Sequence, residues 1–200
     1  MRESDQNSER AIELYKWNIK LSQSLYSGLQ AWEICLRNQL HRFLSWKYNK
    51  NWPFDESALR QMKKNDSERI RSAIQSYEQQ NQGAFPSTHK VVSELSIGFW
   101  VCLLSTSYEV PYRWRHNLAR IFPNDRSLER SDISAKNDGL RTLRNRIAHH
   151  EPIFHLPLAQ HHADLRTVLN AMCPAKLEFA DELCSFRGIW LAPPNWYATT

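Results

Sequence analysis

The chain has 200 residues, 42% of them hydrophobic and 24% charged, which is ordinary for a folded globular protein with a sizeable core. Its 26 Lys and Arg outnumber 21 Asp and Glu, and the net charge of +5 gives a modest bias towards anionic partners. The opening MRESDQNSER is polar and mixed in charge, unlike a signal peptide, and the longest apolar run, 99–104, is too short to span a membrane.

Only 5 glycines and few alternating β-branched runs point to an all-α fold, read as one domain over 1–200 with an irregular tail from about 191. Residues 9–26 carry Ile12, Tyr15, Ile19 and Tyr26 at helical spacing, which predicts a buried stripe. Ser27-Gly28 is a candidate break, after which Leu29, Trp32, Leu36, Leu40 and Phe43 continue the pattern to about 48. Glu33 and Arg37 stand four apart in the favourable order for an ion pair, with Asn38 beside them. Residues 51–55 (NWPFD) read as a turn whose Asp55 caps the next helix. Helices over 56–64 and 67–80 follow, the second burying Ile70, Ala73, Ile74 and Tyr77, and 81–87 (NQGAFPS) is a loop. Thr88 is then expected to cap one helix over 90–106, rich in apolar residues, with another over 112–121. Pro123 opens a basic connection with Arg126 and Arg130, and Ser131 or Ser134 starts the next helix. Helices over 158–172 and 175–187 close the fold.

The stretch 140–153 (LRTLRNRIAHHEPI) organises the rest. Leu140, Leu143 and Ile147 form its apolar face, and Arg141, Arg144, Arg146, His149 and His150 load it with cationic or titratable groups. Asn145 and His149 lie one turn apart on one face, and Arg144 stands about 140° from His149 around an ideal helix. Pro152 disfavours helical geometry at Glu151, so the helix ends at His149 or His150. An imidazole in a last turn meets the negative end of the helix dipole, which favours its protonated form. A guanidinium, a carboxamide and an imidazole at one helix end suit a phosphate group. The bland alternative is a hydrogen-bond network that holds the last turn and its proline exit.

Other chemistries fare worse. There is no glycine-rich phosphate loop, no G-x-S-x-G and no H-E-x-x-H. Cys35, Cys102, Cys173 and Cys184 lack metal-ligand spacing and read as reduced thiols of a cytoplasmic protein. His149, His150, His155, His161 and His162, with Glu151, are a noticeable cluster, but Pro152 and Pro157 interrupt it and no metal or other cofactor is expected.

Three blocks in order, YKWNIKLSQSLYSGLQAWEICLRNQLH at 15–41, ELSIGFWVCLL at 94–104 and LRTLRNRIAHHEPIF at 140–154, resemble the HEPN superfamily, and within it the abortive-infection (Abi-like) branch. The superfamily signature is R-x(4–6)-H with a polar residue after the Arg, matched by Arg144, Asn145 and His149. The resemblance implies an all-helical bundle that forms a homodimer with a composite active site, and a metal-independent endoribonuclease acting on RNA as a toxin or phage-defence effector. It carries Arg144 and His149 over as the catalytic pair and Asn145 as the orienting residue, with His150, Glu33, Arg37 and Asn38 in support. An antitoxin is a further partner of such toxins. Those neutralised by nucleotidyltransferases commonly carry Tyr two residues after the motif His, where this chain has Glu151, so the resemblance does not extend to that kind of partner.

The chemistry is self-consistent. RNA carries its own nucleophile, the 2′-OH, beside each phosphodiester, so cleavage needs a base, an acid and positive charge on the phosphorane. Imidazole titrates near neutrality and serves as base or acid, while the Arg144 fork can hold the phosphate. A helical dimer that binds RNA or protein without cleaving is the alternative.

Overall fold

The architecture is set by α1 (Glu3–Lys47), an unbroken helix of 45 residues, roughly 68 Å long at 1.5 Å per residue. A computed structural model describes residues 3–197, and all regular elements among them are helical. The break expected at Ser27-Gly28 does not occur. Gly28 is buried on the face that meets α9 (Leu158–Met172), where a Cβ would stand 2.7 Å from Leu165 Cδ2. This glycine serves the close approach of two helices, and packing overrides its helix-breaking tendency of about 1 kcal/mol.

The face of α1 also departs from expectation. Ile12, Tyr15, Ile19 and Tyr26 are exposed, at 53%, 62%, 39% and 61%, while Trp17, Leu21 and Leu25 are buried in their place. Two apolar stripes share the helical period in this half of α1, and only the second finds ring partners. Trp17 stacks on Trp190 at 5.9 Å and on Phe154 at 6.4 Å. In the second half Leu29, Trp32, Leu36, Leu40 and Phe43 are buried as the spacing predicts.

A 3-10 turn at Trp52–Phe54 leads to α2 (Glu56–Arg60), whose Asp55 cap accepts from Ser57 N at 2.8 Å. α3 (Lys64–Gln80) buries Ile70, with Ala73, Ile74 and Tyr77 half-buried. Beyond the 81–87 loop the cap of α4 (Thr88–Glu94) is Ser87 rather than Thr88, its Oγ accepting from Lys90 N. The single helix expected over 90–106 is split into α4 and α5 (Ile97–Cys102). Ser96 turns extended at the break, and the Leu95 carbonyl accepts from the Trp100 indole at 3.2 Å, which replaces its lost helical donor. Likewise 112–121 is divided, into α6 (Glu109–Tyr112), α7 (Trp114–Asn117) and a 3-10 turn, because Arg113 takes the left-handed conformation at φ 51°. α8 (Arg130–Ala148) starts with Glu129 extended at its cap, ahead of Ser131 and Ser134. α9 has the bounds the sequence predicts. The last predicted helix becomes α10 (Pro174–Glu182) and α11 (Phe186–Trp190), the turn between them bringing Phe186 into the core. The tail from 191 is irregular as far as it is described, and 198–200 lie outside the described residues.

One contiguous core joins these helices, with α1 packed against α5, α8, α9, α10 and α11. Trp32, Trp52, Trp100 and Trp114 are fully buried, and each indole N–H has an acceptor: Asn137 Oδ1, His41 Nδ1, and the carbonyls of Leu95 and Leu103. Burial of such rings with their polar edge satisfied contributes on the order of 3–5 kcal/mol each against alanine. The four cysteines are free thiols, Cys35 buried and the others half-buried. No helix among the described residues is long and apolar enough to cross a membrane.

Candidate functional site

α8 and α1 build the site together. Leu140 and Leu143 are buried and Ile147 half-buried, which seats α8 on the core with its charged edge outwards. Inside the seam, Asn137 is fully buried; its Oδ1 accepts from Trp32 Nε1 at 2.8 Å and its Nδ2 donates to the Ile133 carbonyl at 2.7 Å. That clamp fixes the roll of α8 against α1 at the residue before Glu33, two turns ahead of Arg144 on α8. Gly139 gives α9 its close approach on the next side, a Cβ there standing 3.3 Å from the His161 ring.

Arg144 meets Glu33 across this seam. Its Nε donates to Glu33 Oε2 at 3.1 Å, and the two side chains are 39% and 29% exposed. Glu33 therefore pairs with Arg144 and not with Arg37, the i,i+4 partner its spacing suggests. The bond uses one side of the guanidinium, and the two Nη groups have no partner among the described residues. Arg37 is half-buried one turn further along α1 and Asn38 is exposed, neither bonded through its side chain to the motif. They lie near the site in sequence without closing onto it.

The helix ends on His149, as the Pro152 argument predicts. Its N–H donates to Asn145 O at 2.9 Å; His150 N–H then donates to Ile147 O at 3.1 Å and Glu151 N–H to Arg146 O at 2.9 Å. The last two bonds are the paired closure of a Schellman motif, and His150 occupies its left-handed position at φ 58°. Glycine is the usual residue there. His149 and His150 are exposed and Asn145 half-buried, and none of the three side chains has a partner among the described residues. The bland expectation, a closed network of Arg144, Asn145 and His149, does not match this arrangement: the helix end is closed by backbone bonds, Arg144 turns to Glu33, and the Asn145 and His149 side chains have no partner among the described residues.

The loop after the motif is pinned at depth. Ile153 is fully buried, and its N–H donates to Oδ1 of Asn18, itself 7% exposed on α1, at 2.8 Å. Phe154 follows and packs on Trp17. Asn18 and Asn137 are the residues that sequence reasoning missed; the available signal was a carboxamide at a core position of each helix. Arg146 is engaged by Glu151 at 3.7 Å and His155 at 3.5 Å. The histidine cluster is divided by the fold, with His149 and His150 at the end of α8 and His161 and His162 on α9. Burial lowers the pKa of both α9 rings. Among the described residues no group of three or more His, Cys, Asp or Glu is placed to hold a metal ion.

These groups offer a directed pair of N–H donors, a carboxamide and an imidazole at one solvent-facing helix end. The family model for Abi-like proteins matches residues 3–155, from the start of α1 through the loop that follows the motif. No curated protein and no solved structure matches the chain. With Glu33, Arg144 and His149 all inside the matched span, and with that span covering most of its length, the chain belongs to the Abi-like protein family.

Proposed function

We propose that this protein is a metal-independent endoribonuclease of the HEPN type, a cytoplasmic effector of abortive infection that works as a homodimer with a composite active site. The observation that carries the reading is the unspent polar cluster at the end of α8. One guanidinium is oriented by Glu33 with both Nη groups unpaired among the described residues, and the side chains of half-buried Asn145 and exposed His149 have no partner among them.

His149 accepts the proton of the 2′-OH, whose oxygen attacks the neighbouring phosphorus. The Nη pair of Arg144 takes the charge that builds on the non-bridging oxygens, the type of stabilisation that dominates such reactions. The 5′-oxygen leaves with a proton, giving a 2′,3′-cyclic phosphate and a 5′-hydroxyl. One imidazole cannot hold both proton roles in a single step, so a symmetry-related His149 serves as the acid. The exposed stripe on α1 supports that pairing. Ile12, Ile19 and Tyr26 are successive sevens, and the next position is Glu33, the residue that holds Arg144. A seven-residue apolar period is the pattern by which helices pair. Replacing Ile19 and Tyr26 together by Glu is expected to give a monomer in sedimentation and to abolish cleavage.

The test is to incubate the purified protein with transfer and messenger RNA in EDTA. Cleavage with cyclic phosphate ends supports the reading. RNA retained in a salt-dependent manner with no product would identify a binder instead.

A further inference from the structure

Beyond the matched span, α9, α10 and α11 frame a cleft of about 870 Å³ that the ribonuclease reading does not use. On its wall the Cys184 thiol lies 3.4 Å from His162 Nε2, and the His162 ring stacks on Phe186 at 4.7 Å. Arg187 and Trp190 line the same cleft, beside an ion pair of Arg166 with Asp181. Arg187 is exposed and has no ion-pair partner among the described residues.

We propose that Cys184 and His162 form a thiol–disulfide exchange site that takes a small disulfide bearing carboxylates, with Arg187 receiving a carboxylate. The geometry has the parts that activate a nucleophile: thiol and base in contact, and the base held in place by a third group. Burial first, then Arg166, lowers the His162 pKa, with Asp181 opposing, which favours the neutral ring, and Nε2 accepts in the tautomer that carries its proton on Nδ1. In the step, the Cys184 proton passes to His162 and the thiolate attacks one sulfur of the disulfide. The new S–S bond to Sγ forms as the old one breaks, and the departing thiolate takes the proton back from His162.

The other thiols lack these parts. Cys35 is buried and pushed up to about 11, chiefly by burial. Cys102 donates to the Asp66 carboxylate at 3.4 Å, and burial followed by that carboxylate raises its pKa. A carboxylate neighbour opposes thiolate formation, whereas an imidazole accepts the proton. Cys173 is half-buried like Cys184 and serves as the matched control.

The test uses the full chain with iodoacetamide and, separately, oxidised glutathione, read by mass spectrometry of each cysteine peptide. Cys184 is expected to alkylate at least tenfold faster than Cys102 and Cys173 and to be the first to gain a glutathionyl group. His162→Gly is expected to lose that advantage, and added imidazole to restore it, which a merely structural role for the ring does not predict. Reaction of Cys184 no faster than Cys102 and Cys173 overturns the proposal, as does a His162→Gly rate equal to wild type. A His162→Gly loss that imidazole fails to restore in a protein of unchanged circular dichroism also overturns it.

Discussion

At the start of α3, Asp66 is 2% exposed and its carboxylate is filled. It accepts from Tyr108 Oη at 2.6 Å, Cys102 Sγ at 3.4 Å and Arg69 Nη1 at 3.3 Å, while Tyr108 Oη accepts from Lys63 N at 3.1 Å. At the end of α8, Arg144 makes one ion pair and the side chains of Asn145 and His149 make no bond among the described residues. Both clusters are polar and both sit at a helix terminus. A closed, buried network spends its hydrogen bonds on holding helices together, and burial first and then Asp66 push the Tyr108 phenol pKa up. An open cluster on an anchored scaffold has its bonds left for a ligand. The scaffold beneath the motif is the closed part of the same region: the Asn137–Trp32 clamp and the Asn18–Ile153 pin.

The sharpest break of this contrast is Arg144→Ala. It is expected to slow RNA cleavage about 10²–10³-fold, the usual loss of one donor to a developing oxyanion, while urea unfolding shifts by less than about 0.5 kcal/mol. Asp66→Ala should behave the other way round. Leaving the buried Tyr108 hydroxyl without its acceptor costs about 2–3 kcal/mol in urea unfolding, with the cleavage rate of the folded protein unchanged. The smallest effect belongs to His150→Gly. Relief of the left-handed position at φ 58° should raise stability by about 1 kcal/mol in the same measurement.

The sequence made some elements legible because their signals are local. Asp55 caps α2 with its own side chain, Pro157 and Pro174 bracket α9, and Pro152 stops α8 at the motif. What failed to show depended on partners distant in the chain. Gly28 reads as a breaker until Leu165 is beside it. The stripe of Ile12, Ile19 and Tyr26 reads as core until Trp17 finds Trp190, 173 positions away, and takes the inward face. The motif itself was visible as Arg144, Asn145 and His149, with Glu33 expected in its support; the spacing alone offered Arg37 as the partner of Glu33, and the fold gives it Arg144 instead. Asn18 carried no motif, and its role lies in a backbone bond to Ile153 that no spacing rule supplies.

The central claim is that the unspent groups at the end of α8 are catalytic, and it rests most directly on His149. The measurement is the single-turnover cleavage rate of a labelled RNA by wild type and His149→Ala, with unfolding followed on the same preparations. The expected result is a rate loss of about 10²–10⁴-fold, the range of a lost general acid–base group, with stability and sedimentation unchanged. Equal cleavage rates in the two proteins would contradict the account.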